Sequence, residues 1–360
     1  MNQLSCIMKK AGCRMLSLLS FCLIGVACGV IYDDEGDCSV TYLVRFRYDW
    51  NMKFADAFAN EVECVTLYLL DKDGEIVWRK TEQGEALKSG DYAMAVDVAP
   101  GCYDLLAWCG TVDKGSFAFQ EDAASREDLV CTLKRAYPDG GAAEVREDLD
   151  RLFHGWLPDQ VFGETEGVYT YTVPLKKNTN NVRVVLQQLS GEPMDKDRFA
   201  FVITAENGSM DWDNGLLPDD LVTYYAWSTK SGVAGIVSPD PSLVSSFSAV
   251  VAELTTARLM TRDRSGYLWG GSTVRSDFPE ENKMTLKVID NENGKIIISV
   301  PLVDYALLVK GENRKDMDDQ EFLDRLDEYS IIFVLDEGWR WVTMSINIHS
   351  WKLVEQNTSL

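Results

Sequence analysis

CVTLYLLDKDGEIVWRKT, residues 64–81, decides the fold class. Cys64–Leu70 is a short apolar run rich in β-branched and aromatic side chains. Residues 75–81 form a second such run, and Asp71-Lys72-Asp73-Gly74 lies between them. Two runs of strand length separated by Asp and Gly read as a β-hairpin. The Asp-Lys-Asp-Gly stretch resembles a calcium loop only in part. It lacks the EF-hand ligand spacing and a distal bidentate Glu, so the aspartates are read as turn residues.

The same texture extends in both directions. Residues 41–48 alternate, with Tyr42, Val44, Phe46 and Tyr48 on one side and Arg45 and Arg47 on the other, as a half-buried strand requires. Residues 51–62 switch to a helical period through Phe54, Ala55, Phe58 and Val62. Strands are read over 92–98, 102–109 and 167–175, with polar loops over 110–128 and 137–143. Residues 176–181 carry no apolar side chain and read as an interdomain linker.

Beyond the linker, strands are expected over 182–189, 199–205 and 249–260, with a hairpin of 284–290 and 295–302. Asn207-Gly208 and Asp211-Trp212-Asp213-Asn214-Gly215 are read as turns. A helix is expected over 316–329, with Glu321 and Arg325 spaced as an i,i+4 pair. Strands over 331–335, 341–348 and 351–355 close the chain. Many short strands, frequent Gly and Asn turns and few helices give a mainly β chain of two tandem β-sandwich domains, 41–177 and 178–360.

The N-terminus speaks to compartment. Lys9, Lys10 and Arg14 precede an uncharged apolar run over 15–27, which ends Gly25-Val26-Ala27-Cys28. That is a signal-peptide pattern, and the run is shorter than the roughly 20 residues of a spanning helix. Small residues before a cysteine match a lipoprotein cleavage site, although Gly25 stands where Leu is usual. The expectation is removal of residues 1–27, with Cys28 as an acylated N-terminus. Two or three acyl chains then hold the protein on a membrane. A signal anchor and an ordinary secretory signal are the other readings. Residues 28–40 form an acidic tether, either a surface-export signal or a solvated spacer.

The chain of 360 residues has a net charge of −22, and loss of residues 1–27, with three basic residues and no acid, makes it −25. Such a charge disfavours nucleic acid and anionic surfaces as partners. Cys38, Cys64, Cys102, Cys109 and Cys131 remain besides Cys28. No C-x-x-C pair occurs among them, which argues against zinc. An exported chain permits one or two disulfides, and small buried hydrophobes are the equal alternative. Cys102 and Cys109, seven apart on one strand, face opposite ways and do not bridge each other.

No catalytic motif appears. His154 and His349 are the only histidines, neither beside a nucleophile motif, and His349 reads as a turn residue. P-loop, dinucleotide and H-E-x-x-H patterns are missing, so no cofactor is implied. Trp108, Trp156, Trp227 and Trp269 lie near loops or strand ends. They serve either as a sugar-binding platform or as packing residues.

Several stretches resemble one family. They are Ile31-Tyr32-Asp33-Asp34 with Asp37-Cys38, then residues 44–51, VTLYLLDKDG at 65–74, PLKKNTNNVRVVLQ at 174–187, AELTTARLM at 252–260, QEFLDRLDEYSIIFVL at 320–335 and Trp351-Lys352-Leu353-Val354. The chain resembles the FimB-type anchor, or minor fimbrial, subunits of the protease-assembled type V fimbriae of Bacteroidia. The resemblance implies an outer-membrane lipoprotein with two transthyretin-like sandwiches. It further implies a fimbrial base that limits shaft growth and joins shaft pilin and accessory subunits by donor-strand exchange. A surface adhesin or glycan-binding lipoprotein on the same scaffold is the alternative.

Overall fold

A computed structural model describes residues 40–111, 113–188, 193–235, 246–261, 283–310, 314 and 316–347. The signal segment, Cys28, the tether to residue 39, Cys38, Trp269, His349 and the strand over 351–355 lie outside the described residues.

The first half carries β1 (Val40–Arg47), β2 (Cys64–Leu70), β3 (Ile76–Gln83), β4 (Met94–Val96), β5 (Gly101–Gly110), β6 (Phe117–Phe119), β7 (Cys131–Leu133), β8 (Ala143–Val145), β9 (Leu152–Phe162) and β10 (Gly167–Lys177). One sheet runs β3-β2-β5-β9-β10-β1-β4. It folds over on itself at β10, which pairs in parallel with β1 up to Pro174 and antiparallel with β9 from Leu175. Gly155 of β9 makes this switch possible, since a Cβ there would lie 2.5 Å from Val173 and 2.7 Å from Leu175. Tyr42, Val44 and Phe46 of β1 thereby face Val65, Leu67 and Leu69 of β2 and Leu105 and Ala107 of β5 across one core.

The expected hairpin is β2–β3, closed as its sequence dictates. Asp71 Oδ1 accepts the Asp73 and Glu75 amides at 2.9 and 3.0 Å, and Gly74 takes φ +84°. The helix expected over 51–62 shrinks to one turn, α1 (Phe58–Glu61). Asn51 Nδ2 donates to the carbonyls of Tyr48 and Ala55, and Asp56 accepts the amides of Tyr48 and Phe58. These side chains offer the backbone partners that a helix would otherwise supply.

The second half carries β11 (Thr179–Gln188), β12 (Phe199–Ala205), β13 (Ser209–Met210), β14 (Val222–Tyr225), β15 (Ser228–Gly235), β16 (Ser246–Ala257), β17 (Thr285–Asp290), β18 (Lys295–Pro301), α2 (Leu302–Leu308), α3 (Asp319–Arg325), β19 (Glu328–Leu335) and β20 (Trp341–Asn347). Sheets β15-β16-β11-β19-β20 and β18-β17-β12-β14-β8 enclose the second core. The helix expected over 316–329 stops at Arg325. The chain then turns extended so that β19 can run parallel to β11. Its Glu321–Arg325 pair is present at 2.7 Å. The chain is thus mainly β, as expected, with two sandwiches in tandem.

Two segments read as loops hold short strands. β6 lies within 110–128, and β8 begins at the end of 137–143 and pairs with β14 of the other half. β13, β7 and β6 form a small fourth sheet across the two halves. Over the outer face of the first sandwich, Leu129, Cys131 and Met210 pack on Tyr68, Leu106 and Trp108. Cys64, Cys102, Cys109 and Cys131 are free thiols, so of the two cysteine readings the small-hydrophobe one fits buried Cys109 and Cys131.

Candidate assembly site at the domain junction and strand edges

What the sequence presents as a linker is almost entirely strand. β10 runs to Lys177 and β11 starts at Thr179, leaving only Asn178 between them, and residues 177–180 are all buried. A buried polar segment must find partners, and it does. Asn178 and Asn214 exchange amide hydrogen bonds of 2.6 and 3.1 Å. Asn214 takes φ +69° in the turn after Asp211, which its position beside Gly215 had suggested.

Arg258, just past β16, donates Nη2 to both carboxylate oxygens of Asp324 on α3, at 2.8 and 2.9 Å. Its Nη1 donates to the Asn214 carbonyl. Asp324 also accepts from Gln320 at 2.7 Å and pairs with Lys176 at 3.2 Å. Burial would raise the Asp324 carboxyl, but the Arg258 and Lys176 charges and the hydrogen bonds outweigh it and hold the group below the usual range. One carboxylate therefore gathers β10, β16 and α3.

A second contact lies alongside. Lys177 Nζ reaches Glu61 of α1 at 3.0 Å and Asp327 at 2.5 Å. Burial alone would lower the Lys177 ammonium, yet the two carboxylates raise it above its ordinary value. Arg325 stacks over Trp50 at 3.8 Å and donates to the Asp49 carbonyl at 3.2 Å. Loop residues 49–54 of the first sandwich are thus clamped to α3 of the second.

His154 sits within this junction, its Nε2–H donating to the Trp212 carbonyl at 2.8 Å. Burial pushes its imidazole down to about 3. A neutral ring with one nitrogen committed to a carbonyl is a structural polar group. Among the described residues the candidate tryptophans do not gather into one platform. Trp108 is buried against His154, Trp156 packs on Trp212 with ring centroids 5.1 Å apart, and Trp227 stands exposed by itself.

Sheet edges are the other feature. β3 is an edge whose inward-facing row contains Lys80 and Glu82, paired at 2.5 Å, with Tyr92 donating to Glu82 at 2.6 Å. Inward charges of this kind blunt an edge against pairing. β18 lacks that protection. It pairs only with β17 among the described residues, presents Ile296, Ile297 and Ile298 in succession, and leaves Ile296 49% exposed.

Residues 34–357 match the family of fimbrillin-A associated anchor proteins Mfa1 and Mfa2. The chain belongs to this fimbrial anchor family. The resemblance to anchor subunits read in the sequence therefore holds. A candidate adhesin from Bacteroides thetaiotaomicron is 33% identical, with TM-score 0.70 over 88% of this chain and 98% of its own. A candidate polysaccharide-binding protein of the same organism is 28% identical, with TM-score 0.68 over 87% and 99%. The fimbrial anchor protein Mfa2 of Porphyromonas gingivalis shares the fold at 18% identity, with TM-score 0.59 over 87% and 100%. Comparison with curated proteins yields no match.

Membership in the anchor family makes the chain a structural fimbrial accessory subunit, associated with fimbriae at the cell surface. Sequence reading missed the Arg258–Asp324 pair, 66 residues apart, and the Asn178–Asn214 pair, 36 apart. Neither has a local signature. The one available signal was an interdomain stretch of Lys and Asn flanked on both sides by strand patterns.

Proposed function

We propose that this protein is the membrane-held base of a fimbria. In this reading residues 1–27 are removed, acylated Cys28 is inserted in the outer membrane, and residues 28–40 tether the first sandwich. A shaft pilin or accessory subunit adds an extended segment to an open edge of the second sandwich, and the anchored subunit limits further shaft growth. Strand addition draws strength from backbone hydrogen bonds and register from alternating side chains.

The observation that carries this reading is the β-branched edge of β18, which pairs only with β17 among the described residues, in a member of the anchor family. Polarity supports it as well. The tether is followed by β1 in the first sandwich, whereas β18 belongs to the second. Membrane and neighbour would then engage different sandwiches, with the junction between them transmitting tension.

Mass spectrometry of the mature N-terminus tests the proposal directly, the expected species being Cys28 with a diacylglyceryl thioether. Cys28→Ser should release fimbriae into the medium, and sheared fimbriae should carry the wild-type chain at their base. An unacylated, water-soluble product from cells that retain their fimbriae would overturn it.

A further inference from the structure

A cleft of about 340 Å³ opens on the outer face of the first sandwich, next to the junction, which Trp108 reaches through His154. Its floor is a row across three strands. Thr81 of β3 lies opposite Thr66 of β2, and Thr66 lies opposite Trp108 of β5. Its roof is β6 with the residues on either side, including Phe119, 39% exposed, whose ring lies 5.6 Å from that of Trp108.

Both ends of the roof are pinned, so the cleft cannot close by simple collapse. At one end Asp150 accepts the Ser116 amide at 2.9 Å, and the Ser116 hydroxyl accepts the Asp150 amide at 2.9 Å. At the other, Arg79 Nη1 donates to the Glu121 carbonyl at 2.8 Å. Volumes of this size, walled by aromatics with a few convergent polar groups, are typical of small-ligand sites.

Two features define the ligand. The Trp108 indole N–H is buried and has no acceptor among the described residues. A buried donor left without an acceptor is unfavourable, and an oxygen placed against it removes that cost. The Thr66 and Thr81 hydroxyls, 2.9 Å apart, form a rim able both to donate and to accept. Among the charged lining residues Asp150 is ringed by Thr111, Lys114 and Ser116 donors, and Arg79 and Glu121 carry opposite charges, so the walls hold no excess positive charge for an anion. An anion would also approach a chain of net charge −22.

We infer that this cleft binds a neutral sugar ring, with its hydroxyls on Thr66 and Thr81, an oxygen toward Trp108 and an apolar face against Phe119. This surface is separate from anchoring, and its fate does not depend on that reading.

The test uses the full mature chain and a panel of methyl glucoside, galactoside, mannoside and N-acetylglucosaminide with maltose, cellobiose and lactose. Calorimetry and tryptophan fluorescence report binding. At least one sugar should saturate, and Trp108→Phe, Phe119→Ala and the double variant Thr66→Val/Thr81→Val should each weaken it about tenfold, a loss of about 1.4 kcal/mol. Thermal unfolding of each variant is followed in parallel. If Trp108→Phe perturbs the fold, the surface threonine pair is the deciding variant. No saturation by any panel member up to about 10 mM overturns the inference. So does binding unchanged in the threonine variant.

Discussion

Lys177 Nζ lies 2.5 Å from Asp327 Oδ2, and that ion pair crosses from the last strand of the first sandwich to the approach of β19 in the second. The same ammonium holds Glu61, so one side chain of 7% exposure joins three segments. Lys177→Met leaves two carboxylates facing each other without a cation. The expected loss is about 1.5–3 kcal/mol, the scale of a hydrogen bond to a charged group. Urea unfolding should split from one transition into two as the sandwiches uncouple. A single, unshifted transition would show that the pair contributes nothing to coupling.

Arg258 and Asp324 make a buried bidentate pair, and removing one partner strands the other. Arg258→Met or Asp324→Leu alone should each cost about 3–5 kcal/mol, whereas the double replacement should cost clearly less. Denaturant titration of the three variants checks the non-additivity. The folded Asp324 carboxyl lies below its unfolded value of about 3.9. Its contribution is therefore complete above that pH and is lost as pH falls through the folded value.

His154 sets a different pH window. Its imidazole stays neutral in the fold down to about pH 3, while the unfolded chain takes up a proton near 6.5. Between those values the unfolded state binds more protons, so acid favours unfolding. Stability should fall by up to about 1.4 kcal/mol per pH unit from 6.5 downward. His154→Gln should flatten that slope between pH 4 and 6 relative to wild type, as read by urea midpoints across the range.

Ile296 tests the open edge. A lysine there adds the charge that natural edges use to discourage pairing. Ile296→Lys should leave stability within about 0.5 kcal/mol, as for an exposed position, while reducing recovery of the chain with sheared fimbriae. Equal recovery of variant and wild type would exclude β18 as the docking edge.

Strands with clean alternation were legible in sequence because period two is a local property. β1, the β2–β3 hairpin, β12, β16 and the β17–β18 hairpin are all found close to where their patterns place them. β9 was not legible, since Gly155, Pro158 and Asp159 interrupt it with turn chemistry. In the fold Gly155 and Asp159 each have a use. Gly155 admits the crossing of β10, and the Asp159 amide bonds Asp104 at 2.7 Å beside a register shift against β5. Buried Trp108 looked the same in sequence as exposed Trp227, because burial depends on what the small three-stranded sheet covers.

The sequence by itself determined that the chain is built of short strands in two sandwiches, and its scattered motifs pointed to the anchor family. Side-chain alternation, turn residues and composition act over a few residues, so they are written where they act. Only the tertiary structure decided that a polar stretch is a buried junction, that β8 joins the far sandwich, and that β18 keeps an open edge among the described residues. Those outcomes depend on which groups from distant parts of the chain arrive to satisfy a buried amide, carboxylate or strand edge, and no local pattern encodes that arrival.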